Sequence, residues 1–292
     1  MIRRLLCHNL LAACVLNLTS CGMSVNGINV GKIADLSTNI AKSATTNQAE
    51  ELLLGDQLAA MLLGASKLHE SSEWQHYINQ VGRYLANYSN RPDLPWTFAV
   101  LDTPDINAFA VPGGYVFVTS GLLSLLQSEA ELAAVLSHEI IHIDQRHQLV
   151  EMERQNKLEI LQTIGSVAAE YKAATGEATS RQALQNQRIA QSVFGIGHSL
   201  YTKGLSRDDE LQADALAVRL TARAGYDPYA LAAVMQRLDA IDNHSGSLQL
   251  LLSTHPTPFD RLSALQLTLP QLPTDRHYVV AEQRFTQHLV AH

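Results

Sequence analysis

The sequence predicts a mainly helical α+β protein with one small patch of β-structure. Three observations carry that expectation. Apolar residues recur at helical spacing over most of the chain from Ala49 onward. Pro95 to Thr119 is the one clearly β-like region, reading as strands around a tight turn. Between Ser128 and His147 lies a helix whose apolar residues point all round its axis, so it must be central and buried.

Composition narrows what such a protein can do. The chain has 292 residues, 46% of them hydrophobic and 17% charged, enough to bury one sizeable core. A net charge of −7 argues against a nucleic-acid partner, and 6% aromatics leave little for a base-stacking platform. All three cysteines, Cys7, Cys14 and Cys21, fall at the N-terminus. The body therefore has no disulfide framework, no cysteine zinc site and no cysteine nucleophile. Any metal there must be held by His and carboxylates.

Met1 to Cys21 reads as an export signal, with Arg3 and Arg4 before the mostly apolar stretch Leu5–Leu18. That stretch is too short to span a bilayer as a helix. Leu18-Thr19-Ser20-Cys21 resembles a bacterial lipobox, which makes Cys21 the lipid anchor and the first residue after cleavage. Leu11-Ala12-Ala13-Cys14 fits the same pattern but would leave a very short signal. Gly22, where an aspartate would resemble an inner-membrane retention signal, favours the outer membrane. Residues 21–48 are rich in Ser, Asn, Thr and Gly and read as a flexible tether. The expected organisation is a signal over 1–20, the tether over 21–48 and the functional body over 49–292.

Ala49 to Tyr88 predicts two helices broken near Ser71-Ser72, with His69 and His76 facing solvent. Strands are expected over Trp96–Leu101, Ile106–Val111 and Tyr115–Thr119, the last two around the turn Pro112-Gly113-Gly114. One strand of such a sheet can offer an edge to an extended peptide. A short helix, Gly121–Gln127, leads into the central one. Ser128 and Glu131 have capping-box spacing, and no Gly or Pro follows up to Val150, so the helix is expected to run to about Arg154.

That helix carries His138-Glu139-Ile140-Ile141-His142. Residues four apart on a helix sit about 40° apart around the axis, so His138 and His142 can hold one metal ion between them. Glu139 lies about 60° round from His142, beside the metal, where a general base toward a water molecule stands. Buried imidazoles and a buried carboxylate are costly unless paired or coordinated.

Residues 155–203 are helical in pattern, with a break at Thr175-Gly176, and their position between two parts of the site suggests a lid. His147 and His198 lack carboxylates at ligand spacing and read as structural. Ser206 to Asp209 caps a helix from Asp208 to Ala224, ended by Gly225. Glu210 and Asp214 share one face of it. Glu210 can supply a third ligand, and Asp214 can accept the second ring N–H of His138. Asp227-Pro228 starts a further helix to Ile241. After the loop Asn243–Gly246 comes Thr254-His255-Pro256-Thr257-Pro258-Phe259-Asp260-Arg261, with His255 in the loop before a helix capped by Thr257. Tyr278–Ala281 is a short strand candidate in the tail.

Taken together, His138-Glu139-x-x-His142, Glu210-x-x-x-Asp214 and His255-Pro256 followed by Arg261 resemble the HtpX-like, CAAX-prenyl-protease-type zinc metallopeptidase family. Asn107-Ala108-Phe109-Ala110 followed by Gly113-Gly114 is similar to the strand segment of that family. The likeness covers roughly Glu50 to Leu267. With the lipobox, it is strongest to periplasmic, outer-membrane-associated members of the β-barrel assembly-enhancing protease type.

The resemblance implies a gluzincin-type fold with the small sheet beside the HExxH helix. It implies one Zn²⁺ per chain on His138, His142 and Glu210, with Glu139 as base. It also implies that His255 and Arg261 lie close to the metal. Each is then a candidate oxyanion donor, and His255 is alternatively a fourth ligand that leaves when substrate binds. Asn107, Ala108 and Phe109 would contact substrate. The expected activity is degradation of misfolded or misassembled envelope proteins, in the periplasm, by a lipid-anchored endopeptidase working beside the outer-membrane assembly machinery. Two departures stand out: the multi-span membrane core of HtpX is absent, and the chain ends too soon for the helical-repeat domain of some relatives. The other main zinc-protease pattern fails, because Gln145 and Gln148 stand where it needs Gly and His. The rival reading is a zinc-containing, chaperone-like or binding lipoprotein for outer-membrane clients. Glu139, which a structural site does not require, speaks against it.

Overall fold

The central helix starts where its capping box places it. In the computed structural model, which describes residues 24–25, 28–29, 47–154, 205–241, 251, 255, 257–273 and 276–289, Ser128 accepts a hydrogen bond from the Glu131 N–H. Cys21 and the signal, the stretch 155–203 with His198, the loop Asn243–Gly246 and Pro256 lie outside the described residues.

The chain divides into two units, Met1–Ala44 and Thr45–His292. In the first, β1 (Ser24–Val25) and β2 (Ile28–Asn29) pair antiparallel, inside the stretch read as a tether. The second unit holds everything else described. In chain order it contains α1 (Gln48–Ala65), α2 (Ser72–Ala86), β3 (Thr97–Leu101), β4 (Ala108–Val111) and β5 (Tyr115–Thr119). These are followed by α3 (Ser120–Leu125), α4 (Glu129–Asp144), α5 (His147–Arg154), α6 (Arg207–Arg223), α7 (Ala230–Asp239), α8 (Pro258–Thr268) and α9 (Glu282–Leu289). Among the described residues no helix is long and apolar enough to cross a membrane.

Every residue of α4 from Glu129 to Ile143 is buried. Leu132, Leu136 and Ile140 are fully so, each contributing about 2 kcal/mol by leaving water. The helix does not run on to Arg154. It stops at Asp144, and Arg146 adopts a left-handed conformation, φ 57°, before α5 begins. That conformation is uncommon for a long side chain. It is held here by an ion pair between Arg146 and Glu51 of α1, 3.2 Å apart. Beyond the break, Leu149 and Met152 of α5 join a second core with Leu54, Leu58 and Met61 of α1 and Val111 and Phe117 of the sheet.

The three-stranded sheet has the order β3-β5-β4, with β3 parallel and β4 antiparallel to β5. Phe109 lies opposite Phe117 in the β4–β5 pair. The hairpin between them turns at Gly113 (φ 86°) and Gly114 (φ 105°), backbone that side chains resist. Gly55 of α1 presses on this turn so closely that a Cβ there would lie 2.0 Å from the Pro112 carbonyl oxygen.

The two outer strands differ. The edge of β3 is covered by α2: the Val100 N–H donates to Gln75 Oε1 (2.8 Å) and the Phe98 N–H to Asn79 Oδ1 (3.2 Å). On β4, Asn107 bonds to Thr119 in the ladder, so Ala108 and Ala110 turn their main-chain groups to the outer edge. Strands β3 and β4 are shorter than expected at their starts. Trp96 is held in a local turn, its N–H bonded to the Leu94 carbonyl at 2.7 Å.

Elsewhere, Thr257 caps α8 with Pro258 in its first turn, while α7 begins at Ala230, later than the Asp227-Pro228 signal. The strand candidate Tyr278–Ala281 forms a single bridge, Val279 to Tyr226, not a strand. His76 is exposed, but His69 is half-buried and stacked on Trp74 at 4.2 Å, contrary to expectation.

Candidate metal centre

Two helices supply the centre. On α4, His138 and His142 point their Nε2 atoms at each other, 3.0 Å apart. From α6, capped by Ser206 through the Asp209 N–H, Glu210 enters in the first turn. Ala213 and Ala217, on the same face, are fully buried and leave room for close packing. Glu210 Oε2 lies 3.5 Å from His138 Nε2, and Oε1 3.5 Å from His142 Nε2. His255 brings its Nδ1 to 2.6 Å from Glu210 Oε2. One ligand atom from each of these four residues lies within 4.8 Å of all the others.

The donor set fits a cation. Glu210 Oε1 is buried with no hydrogen-bond partner among the described residues, and its contact to His142 is too long to serve as one. Two imidazole nitrogens and a carboxylate oxygen thus converge with too few hydrogens between them. Imidazole and carboxylate are zinc donors, and three of them leave a position open.

Partners behind the ligands fix their orientation. His138 Nδ1 is 2.9 Å from Asp214 Oδ1. Arg261 in turn donates to Asp214 through Nε (2.8 Å) and Nη2 (2.6 Å). The sequence expectation placed Arg261 near the metal as a donor; in the fold those two donors are engaged by Asp214. His142 Nδ1 meets the Nδ1 of His147 at 2.9 Å. From the sequence His147 reads as structural, because it lacks a carboxylate at ligand spacing; the fold instead sets it against His142. Only the break at Arg146 makes the contact possible, and no Gly or Pro announces it.

Burial and charge set the protonation states. Burial, together with Arg261, opposes a proton on His138, but Asp214 and Glu210 outweigh both and push its pKa up to about 9. Burial holds His142 well below the ordinary imidazole range and lowers His147 as well. Glu210 stays well below the usual carboxylate range: burial opposes this, and His255 and His142 overcome it. Burial pushes the Glu139 carboxyl up. One positive charge is thus favoured among the ring pair, the charge a cation would supply.

Glu139 is buried and lines a small cavity, about 40 Å³, together with His138, His255, Arg261 and Ala108 of the outer strand. Asn107 is buried beside it; its Oδ1 accepts the Ala108 N–H at 2.9 Å, while its Nδ2 has no partner among the described residues. Phe109 turns its side chain away, toward the second core. The fold is mainly helical α+β, with the small sheet beside the HExxH helix in a gluzincin-type arrangement.

Residues 72–268 match the sequence model of peptidase family M48. The chain belongs to that family. Among M48-type relatives, the beta-barrel assembly-enhancing protease of Yersinia pestis is 30% identical over 257 residues, 86% of this chain and 51% of the relative. The protein of the same name from Escherichia coli K12 is 28% identical over 231 residues, 79% of this chain and 46% of the relative. The mitochondrial metalloendopeptidase OMA1 of Schizosaccharomyces pombe is 30% identical over 204 residues, 68% of this chain and 54% of the relative. The chain spans about half the length of these curated relatives.

Proposed function

We propose that the chain is a zinc-dependent endopeptidase that degrades misfolded or misassembled cell-envelope proteins. The observation that carries this reading is Glu210 Oε1, a buried acceptor with no partner, converging with two imidazoles beside the buried carboxylate of Glu139. Membership of family M48 supports it, as does the likeness to beta-barrel assembly-enhancing proteases and to metalloendopeptidase OMA1. His138, His142 and Glu210 would hold the zinc. When bound, it would polarise a water molecule and the scissile carbonyl.

The chain's own residues do the rest. Glu139 takes the proton of the attacking water and hands it to the leaving amine. Burial raises its pKa, which suits a group that must both accept and release a proton near neutrality. Asp214 holds the His138 ring, and Arg261 holds Asp214. The outer edge of β4 takes an extended chain by a main-chain hydrogen bond to the Ala108 carbonyl, with the unpartnered Nδ2 of Asn107 as a further donor. Phe109 faces Phe117 in the ladder and packs its side chain toward the second core, so it supports the strand from behind. Such an edge admits unfolded chains and excludes folded ones.

His255 has two possible roles that differ in sign. As a fourth ligand it closes the site at rest, so His255→Ala raises basal proteolysis. As a donor to the oxyanion it lowers the barrier, so the same change slows cleavage. A closed four-donor site is also what favours the second reading, a zinc-containing chaperone-like lipoprotein. For location, we infer a lipid on Cys21 after removal of residues 1–20, a tether over 21–48 and a periplasmic body over 49–292 facing the outer-membrane assembly machinery. Degradation of an unfolded outer-membrane protein, measured with and without a chelator, tests the function. Cleavage that the chelator stops and zinc restores is expected. Binding without cleavage would favour the second reading.

A further inference from the structure

The two histidines of the centre are backed differently. His138 rests on a carboxylate, Asp214. His142 rests on another ring, and behind that ring lies a neutral amide: His147 Nε2 is 2.9 Å from Gln212 Oε1 and 4.0 Å from Asp209 Oδ1.

We propose that His147, with Gln212 behind it, is a positioning residue that fixes the tautomer of His142. This rests on the metal-site reading above. A glutamine carbonyl oxygen can only accept, so His147 Nε2 carries its hydrogen. The His147 Nδ1 is then the bare nitrogen. At 2.9 Å it can only take the hydrogen of His142 Nδ1. That leaves His142 Nε2 bare, turned toward His138 Nε2 and Glu210 Oε1, as ligation requires. Each nitrogen in the chain has one role, and each role forces the next.

The backbone is shaped for this contact. Had α4 continued, His147 would project about 140° away from His142 around the axis. The left-handed turn at Arg146, tied to Glu51 at 3.2 Å, brings the ring back. His147 is also buried, 4% exposed, with both nitrogens engaged. A purely structural histidine would not need its acceptor nitrogen aimed at a ligand.

The test compares zinc affinity by chelator competition in the full chain and three variants, with thermal midpoints of the zinc-free proteins alongside. His147→Phe keeps the bulk and loses the acceptor, and is expected to weaken zinc binding about 10- to 100-fold. His147→Asn places a carbonyl oxygen where Nδ1 was, and is expected to recover affinity to within a few-fold of the unsubstituted protein. Gln212→Met, at a half-exposed position, removes the last acceptor and is expected to cost a smaller factor; it carries the test should His147→Phe fail to fold. Equal affinity in His147→Phe and the unsubstituted protein, an asparagine variant as weak as the phenylalanine one, or an unaffected Gln212→Met would each overturn the proposal alone. An unsubstituted protein that takes up no zinc would overturn it together with the functional reading.

Discussion

The two ends of α4 are both buried and both carry ionisable side chains, yet they are built for different ends. At the start, the Glu129 carboxylate accepts from Tyr77 at 2.7 Å, from Tyr226 at 2.6 Å and from Arg284 of the C-terminal helix. Its neighbour Glu131 is held by both terminal nitrogens of Arg237, at 2.7 and 2.9 Å. The Ala130 N–H adds a bond to the Val280 carbonyl at 3.1 Å. Every charge there is answered within the fold, and the result is a lock joining α2, α4, α7 and the C-terminal segment. Ten residues further along the same helix, His138, Glu139 and His142 meet Glu210, and one carboxylate oxygen is left over. Buried charge alone does not mark a site. What separates the two ends is whether donors and acceptors balance.

Substitutions at three positions can break or sharpen that contrast. The largest effect is expected at the unbalanced end. Glu139→Gln removes the proton carrier without touching a ligand, so cleavage should fall by about 10²- to 10⁴-fold while zinc content is unchanged. Parallel measurement of zinc per chain and peptide turnover checks it; zinc loss, or retained turnover, contradicts the role. Next comes Asp214→Ala. It frees the His138 ring and strands the buried Arg261, so zinc affinity should drop about 10- to 100-fold and the protein should lose roughly 3–5 kcal/mol of stability. An Asp214→Ala protein that holds zinc against a chelator as well as the parent would remove Asp214 from this role.

At the balanced end the expected signature is the opposite. Glu129→Ala leaves two tyrosine hydroxyls without their acceptor, at about 1–3 kcal/mol each, and should lower the urea midpoint with zinc affinity intact. Hydrogen bonds from Arg284, Tyr226 and Tyr77 outweigh burial and hold the Glu129 carboxyl below the ordinary range. A carboxyl lowered by folding stabilises above its unfolded value, about 4.3, and loses that contribution as pH falls through its folded value. The stability gap between the parent and Glu129→Gln should therefore be full near neutrality and shrink in acid. A gap that is constant across that range would show that the charge at Glu129 contributes nothing.

Local signals were the ones legible in the sequence. The caps at Ser128, Ser206 and Thr257 act within one turn, and each starts its helix where the residues say it should. The spacing of His138, Glu139 and His142 is a property of one helix, and Glu210 and Asp214 of another. What stayed hidden depends on partners brought from afar. The break at Arg146 needs Glu51 from α1. His147 follows from that break, and the Glu129 lock needs Tyr77, Tyr226 and Arg284 from three other segments. Arg261 could be placed near the site, but that it would be engaged by Asp214 could not be read from spacing.

Anomalous diffraction at the zinc absorption edge, from crystals of the purified protein, addresses the metal centre directly. The account predicts a single strong peak bounded by His138 Nε2, His142 Nε2 and the now unpartnered oxygen of Glu210. No peak there, or a peak elsewhere on the chain with those three side chains bonded only to one another, would contradict it.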